Sequence, residues 1–361
     1  MSERQHEPTA GEQTRSTVRP GRRRFLQLAG AGSVATLAGC LADDDGGGED
    51  EDEDWEASQN IRYIVPYDQG GGTDVYARGI VEALTDSVGE NIQIDNVPGA
   101  GGLNGYGDLM GADTDGHTIL GSATPLEVAP QLLDDPGFDI RDPEGVCVFG
   151  ESAWCLIVNE EWEDQVDSFQ DVLDLFEAGE MSSVGIQEPG SPQDIITLLA
   201  RYEYEFWDWE ERPQYTGTGP VAEAVASGEV PCGIGTDAGT RSTVEAGNAF
   251  PVVSFLSGGT EVYPDIPGID EAVDEVEGDE MDFVGGLFRG VYTPPGTPEG
   301  RNEWLSDAFE EAVEDDRTQE WSDETGNPVY HEGPERAEEI VEEAFDSYEE
   351  FDVIELIEEH N

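Results

Sequence analysis

The stretch that most restricts the fold is Ile61-Arg62-Tyr63-Ile64-Val65-Pro66-Tyr67-Asp68-Gln69-Gly70-Gly71-Gly72-Thr73-Asp74. Residues 61–66 are a short apolar run of the kind that forms a buried strand. Residues 73–87 place Val75, Ile80, Val81 and Leu84 at helical spacing on one apolar face. Three glycines lie between strand and helix, where the backbone can take positive φ or approach a ligand closely. The helix start behind them offers unpaired amides and a partial positive charge, which together form a seat for an anion. Thr73 or Asp74 is expected as the N-cap. A nucleotide-binding loop and a plain tight turn are the other readings. The segment matches neither G-x-x-x-x-G-K-[ST] nor G-x-G-x-x-G.

The pattern continues with a strand at 91–97, a helix at 103–110 and a strand at 117–121. This β-α-β-α-β order predicts an α/β fold with a parallel sheet covered by helices. Further strands are expected at 154–158, 183–186, 230–234 and 251–256. Helices are expected at 193–204, 220–227, 301–314 and across the acidic 334–359. The chain shows no internal repeat and no permanent membrane span.

Charge decides the setting. The 361 residues include 83 acidic and 16 basic side chains, every basic one an arginine, for a net charge of -67. A disordered acidic protein is excluded over most of the length, because 37% of residues are hydrophobic and fall in strand-like and helix-like runs. A folded body this acidic repels itself in dilute buffer. At about 1 M salt the Debye length falls to roughly 3 Å and the surface carboxylates no longer interact, so the surface reads as halophilic. No basic patch exists to bind nucleic acid.

The N-terminus reads as an address. Arg22-Arg23-Arg24-Phe25-Leu26 precedes a short apolar run, 28–38, too short for a permanent span. The arginine pair followed by Phe-Leu resembles a twin-arginine export signal. The run ends Leu37-Ala38-Gly39-Cys40, a lipobox-like sequence in which Cys40 receives the lipid. Residues 1–39 are therefore assigned to the signal peptide and 40–59 to an acidic, disordered tether. Removal of 1–39 leaves 10 basic and 80 acidic residues. Of the remaining cysteines, Cys147, Cys155 and Cys232, an odd number, all cannot pair; Cys147–Cys155 is the conceivable disulfide. No Cys-x-x-Cys spacing is present and the four histidines are scattered, so no metal and no cofactor is expected.

Further motifs follow in order: Asn96-Val97-Pro98-Gly99-Ala100-Gly101-Gly102, Asp115-Gly116-His117-Thr118-Ile119-Leu120, Asp265-Ile266-Pro267 and Thr293-Pro294-Pro295-Gly296-Thr297-Pro298. With the first glycine loop, they resemble the substrate-binding receptors of tripartite tricarboxylate transporters over roughly residue 61 to the C-terminus. The signal and acidity resemble a haloarchaeal-type lipoprotein. Tyr67, Val97, His117 and Arg289 depart from the usual Phe, Arg, Tyr and aromatic residue of that family.

The resemblance implies a two-lobe, type II periplasmic-binding-protein fold with a ligand cleft between the lobes. Lobe 1 would comprise 60–155 plus 250–361, and lobe 2 residues 156–249. It implies an exported receptor, held by lipid on the extracellular face of the cell membrane. Such a receptor captures a small di- or tricarboxylate or related acid and hands it to the large and small membrane subunits of a secondary transporter. The matching ligand positions are Tyr67, Gly71, Gly72 and Thr73 in the first loop, and Ser122 and Thr124 after the third strand. Gly190, Ser191, Thr218 and Asp237 follow in the second lobe. Arg289 is the added candidate, either holding a second carboxylate or pairing with an acid such as Asp282. A ligand-sensing receptor and an exported enzyme are the other functional readings; no Ser-His-Asp, metal or paired-carboxylate signature supports an enzyme.

Overall fold

The computed structural model describes residues 55–361. The expected signal peptide, Cys40 and residues 40–54 of the tether lie outside the described residues. Among the described residues the nine strands are β1 Ile61–Val65, β2 Ile92–Asn96, β3 Thr118–Gly121, β4 Glu144–Asn159, β5 Val184–Gly185, β6 Cys232–Thr236, β7 Ala249–Ser254, β8 Gly286–Thr293 and β9 Val329–Glu332. The helices are α1 Gly72–Val88, α2 Leu103–Met110, α3 Val128–Leu133, α4 Phe169–Glu177, α5 Pro192–Leu198, α6 Thr218–Ala226 and α7 Asp237–Glu245. After them come α8 Ile269–Ala272, α9 Asp282–Gly285, α10 Glu299–Glu314, α11 Asp316–Thr325, α12 Pro334–Glu350 and α13 Val353–His360.

The sheet order is β2-β1-β3-β8-β4-β6-β5, with β7 and β9 also paired to β4. β1 lies parallel to both β2 and β3, as the β-α-β-α-β reading requires. The chain leaves β1 toward one neighbour and returns to the other, so the direction of winding switches at β1. Ligands of open α/β sheets bind beyond the carboxyl ends of strands at such a switch. The glycine loop after β1 and Ser122 after β3 occupy that edge.

β4 joins the two parts of the sheet. Its first stretch pairs antiparallel with β8 and β9, and its last with β6 and β7. The sequence expectation of a separate strand at 154–158 is corrected to one 16-residue strand. The register with β8 shifts between Val148 and Glu151, leaving Arg289 of β8 across from a bulge. Bulges of this kind re-aim side chains and recur beside binding sites.

Along β1, Ile61, Tyr63, Ile64 and Val65 are buried. The face of α1 that packs is Tyr76, Ala77, Ile80, Ala83, Leu84 and Val88; Val75 and Val81 are only half-buried. Trp55, expected in the tether, is half-buried and packs edge-on against His117 and Trp304, a favoured geometry for aromatic rings. Cys147, Cys155 and Cys232 are free and buried. Cys147 and Cys155 lie eight residues apart in β4, roughly 26 Å along an extended strand, so the conceivable disulfide is ruled out. Among the described residues no helix is long and apolar enough to cross a membrane, and no group of three metal-ligating side chains is present.

Candidate functional site

The glycine loop is held from behind. Gly70 has φ 86° and donates its amide to Asp74 Oδ2 at 2.9 Å. Asp74 also accepts from Asn96 Nδ2 and Arg78 Nε, at 3.0 and 2.8 Å. Burial pushes the Asp74 carboxyl up, but the bonds from Arg78, Gly70 and Asn96 outweigh it and leave it below the usual range. The carboxylate is thus fixed as an anion that ties the loop to the sheet.

The N-cap of α1 is Gly71, with φ -71° and ψ 165°, and no side-chain oxygen caps the helix. Thr73 and Asp74 lie inside the first turn instead, which corrects the expectation for the cap. The positive φ belongs to Gly70, not Gly71. By contrast α4, α5 and α7 begin with Ser168, Ser191 and Thr236, each hydroxyl accepting from its own first turn. The leading amides of the 17-residue α1 therefore have no side-chain acceptor and border the exposed Gly72.

Arg289 lies directly beneath this helix start. A Cβ on Gly72 would meet Arg289 Nη2 at 3.2 Å. Nη1 donates to Thr73 Oγ1 at 3.2 Å, and Nη2 to Ser152 Oγ at 3.5 Å. The guanidinium carbon stands 4.7 Å from the centre of the Tyr76 ring. Burial pushes the Arg289 pKa down, with Tyr76, Tyr67, Glu127 and Asp237 acting against that shift. Asp282 does not pair with it; that carboxylate accepts from Ser257 N and Oγ.

Ser122 and Thr124 bind β3 to β8 beside Arg289. Their hydroxyls are 3.2 Å apart, Ser122 N donates to Gly290 O, and Phe288 N donates to Thr124 O. Tyr67 donates its phenol to Glu127 Oε1 at 2.7 Å, and Ala123 N donates to the same oxygen at 3.0 Å. Burial pushes both Glu127 and Tyr67 above their ordinary values. Asp237 is buried and accepts from Thr260 Oγ1, Ala238 N and Ala153 N. These bonds tie it to the backbone and to the Thr260 loop, and burial raises its carboxyl too.

Gly190 and Ser191 open α5 in a second copy of the first-loop arrangement. Gly190, at φ 81°, donates to Asp194 Oδ2 at 2.8 Å. Ser191 Oγ accepts from Asp194 N. Thr218 accepts from Thr236 N, tying the start of α6 to the loop before Asp237. The structure thus brings Gly72, Thr73 and Arg289 into one contact group, with Ser122, Thr124 and Tyr67 alongside. No hydrogen bond among the described residues joins Gly190, Ser191 or Thr218 to Arg289. Sequence reasoning missed Tyr76, Glu127 and Ser152. A charged residue within Pro125-Leu126-Glu127-Val128-Ala129 was a usable signal for Glu127; Tyr76 and Ser152 left none.

Gly72 provides a direct check. Gly72→Val would set its Cβ 3.2 Å from Arg289 Nη2 and crowd the guanidinium, at a cost of about 1–3 kcal/mol of overpacking. Anion binding at the loop is expected to weaken about tenfold or more. Calorimetry showing wild-type affinity in the folded variant would remove the loop from the site.

Residues 76–349 match the model of the tripartite tricarboxylate transporter family receptor. The protein BugT of Bordetella pertussis is 26% identical over 242 residues, covering 66% of this chain and 71% of its own. An Agrobacterium vitis protein encoded between ttuE and ttuC' is 24% identical over 268 residues, covering 73% and 74%. Among solved structures, a solute-binding protein from Polaromonas superposes with a TM-score of 0.69 at 19% identity, covering 82% of this chain and 98% of its own. MatC of Rhodopseudomonas palustris, with bound malate, gives 0.63 at 22% identity, covering 80% and 99%.

Proposed function

Because the chain belongs to the tripartite tricarboxylate transporter receptor family, we propose that it is an exported, lipid-anchored receptor. It captures a small carboxylate and delivers it to the large and small membrane subunits of a tripartite carrier. The observation that carries the ligand reading is the uncapped start of α1 above a buried arginine. The structural neighbour with bound malate suggests the size of the acid. The site residues Tyr67, Gly71, Gly72, Thr73, Ser122, Thr124, Gly190, Ser191, Thr218, Asp237 and Arg289 are proposed from this geometry and the family pattern. We further assign 60–155 plus 250–361 to one lobe and 156–249 to the other, with β4 as a connection. The proposed role is binding and release rather than catalysis. The test is calorimetry with small carboxylates in multimolar salt: saturable binding with full recovery of unchanged ligand is expected. Turnover of the acid, or failure of every acid to bind, would overturn the reading.

The anchor rests on the Cys40 context. A single acyl chain binds membranes only marginally, so the proposed lipoprotein carries more than one. Cys40→Ala is expected to release the exported protein into the medium. Unchanged recovery in the membrane fraction would sink the lipobox assignment.

A further inference from the structure

Arg62, Arg78, Arg141, Arg201, Arg212, Arg241, Arg317 and Arg336 each form an ion pair with a carboxylate. In a chain with such an excess of acid, that is the default. Arg289 departs from it. It is 3% exposed, makes no ion pair among the described residues, and its Nε has no hydrogen-bond partner. Among the described residues its only hydrogen-bond partners are the hydroxyls of Thr73 and Ser152. It also stands at the positive end of α1, where a cation is unfavourable. A buried guanidinium without a counter-charge is strongly destabilising, and buried cations are retained where an anion completes them. The missing charge has a place to enter, since Gly72 above Nη2 is exposed and the first amides of α1 have no side-chain cap.

The surroundings limit that anion. The first-loop hydroxyl Thr73 is itself bonded to Arg289, so arginine and glycine loop form one seat. The buried acids that act on Arg289 through space are Glu127 and Asp237. Glu151, next to Ser152, is half-buried and interacts through space with Asp237. A second carboxylate on the ligand would add to these acids, and Arg78, the next arginine along the chain from the loop, already pairs with Asp74.

We propose that Arg289 is the direct counter-ion of the ligand, and that the site selects acids with one carboxylate and a neutral or cationic far end over dicarboxylates of the same length. This deepens the receptor reading above and rests on it. The guanidinium shares the carboxylate with the α1 amides, a charge-assisted geometry that bulk salt screens poorly because the pair is buried.

The experiment uses the mature protein in multimolar salt with matched four- and six-carbon acids: 4-hydroxybutyrate, 4-aminobutyrate and succinate, then 6-hydroxyhexanoate, 6-aminohexanoate and adipate. Calorimetry is expected to show the diacids about tenfold weaker or worse than their partners, from like-charge repulsion in a poorly solvated site. Arg289→Met is expected to weaken the preferred acid at least about thirtyfold, as for truncation of a buried charge pair. The same variant is expected to raise the melting temperature of the unliganded protein, because it removes a buried uncompensated charge. Arg289→Gln is the second variant, should methionine pack badly. Diacids that bind as well as their partners overturn the selectivity. Tight carboxylate binding retained in both variants, with a lowered melting temperature, overturns the counter-ion while leaving the receptor reading intact. A melting temperature that follows chloride but no carboxylate assigns the seat to chloride and overturns the proposal. Failure of every acid, with the unliganded variant still stabilised, overturns the receptor reading and the ligand class.

Discussion

Moved from multimolar to about 0.1 M salt, the protein is expected to lose about 10–20 °C of melting temperature or its cooperative melt altogether. After removal of 1–39, 80 acidic residues stand against 10 arginines. Helix α12 shows the problem locally: Glu335, Glu339 and Glu343 recur at four-residue spacing, as do Glu338 and Glu342. Arg336 reaches Glu332, Glu339 and Glu343 and relieves part of the repulsion. The Debye length is about 10 Å at 0.1 M and roughly 3 Å at 1 M, so dilution restores repulsion across successive turns. Net stability is only about 5–15 kcal/mol, and many small like-charge terms suffice to remove it.

Mild acid is expected to restore part of the loss. Burial raises the carboxyls of Glu127, Glu151, Asp194, Asp237 and Asp282 above their ordinary values. These groups hold protons more tightly in the folded than in the unfolded chain. Their contribution is greatest below the ordinary carboxylate range and falls as pH rises through the raised values. Asp74, Asp139 and Asp171 are lowered and lose their contribution only as pH falls through values under 3.8. The low-salt optimum therefore lies on the mildly acidic side of neutrality. Circular-dichroism melts over salt and pH check both statements; a melting temperature indifferent to salt would sink the halophilic reading.

The first half of the fold was legible because its determinants are local. A β-α-β-α-β alternation and glycines at Gly70–Gly72 are readable within a few residues, and Gly70 takes the positive φ that glycine permits. The uncapped helix start was not legible, since Thr73 and Asp74 are both good caps by type. What decided against them is Gly70, whose amide draws the Asp74 carboxylate back across the turn. Only the end of β4 was read as a strand, because Gly150 and Ser152 interrupt its apolar run, yet the bulge they accompany aligns Arg289 with the loop. The contact of Arg289 with Thr73 spans 216 residues, and only the pairing of β3 with β8 brings them together. Arg289 drew notice in the sequence as an unusual residue, but its place at the first seat depends on that pairing.

Arg212→Ala is expected to cost about 3–5 kcal/mol, the range for removing one partner of a buried ion pair. The Asp194 side chain is wholly buried and that of Arg212 nearly so. Arg212 donates to Asp194 Oδ1, to Thr197 Oγ1 at 3.2 Å, to His360 O at 3.2 Å and to Asn361 Oδ1 at 2.9 Å. It also lies over the Trp209 ring, 4.3 Å from its centre. Burial lowers Arg212 and raises Asp194, so desolvation outweighs attraction for both partners. The pair is therefore a poor source of stability but a costly one to break, because alanine would leave the buried Asp194 carboxylate without a cation. Asp194 holds the Gly190 amide at 2.8 Å, and Asn361 Nδ2 donates to the same oxygen at 2.7 Å. Loss of Arg212 should therefore loosen the turn at the start of α5 as well as the end of α13. Without its cation, Asp194 would protonate at a still higher pH, and the deficit should shrink as pH falls from 7 toward about 5. Arg212→Met with Asp194→Asn, which removes both charges, should recover much of the stability. Urea melts at pH 7 and 5 decide the matter: a loss under about 1 kcal/mol, or a deficit identical at both pH values, would show that Asp194 does not depend on Arg212.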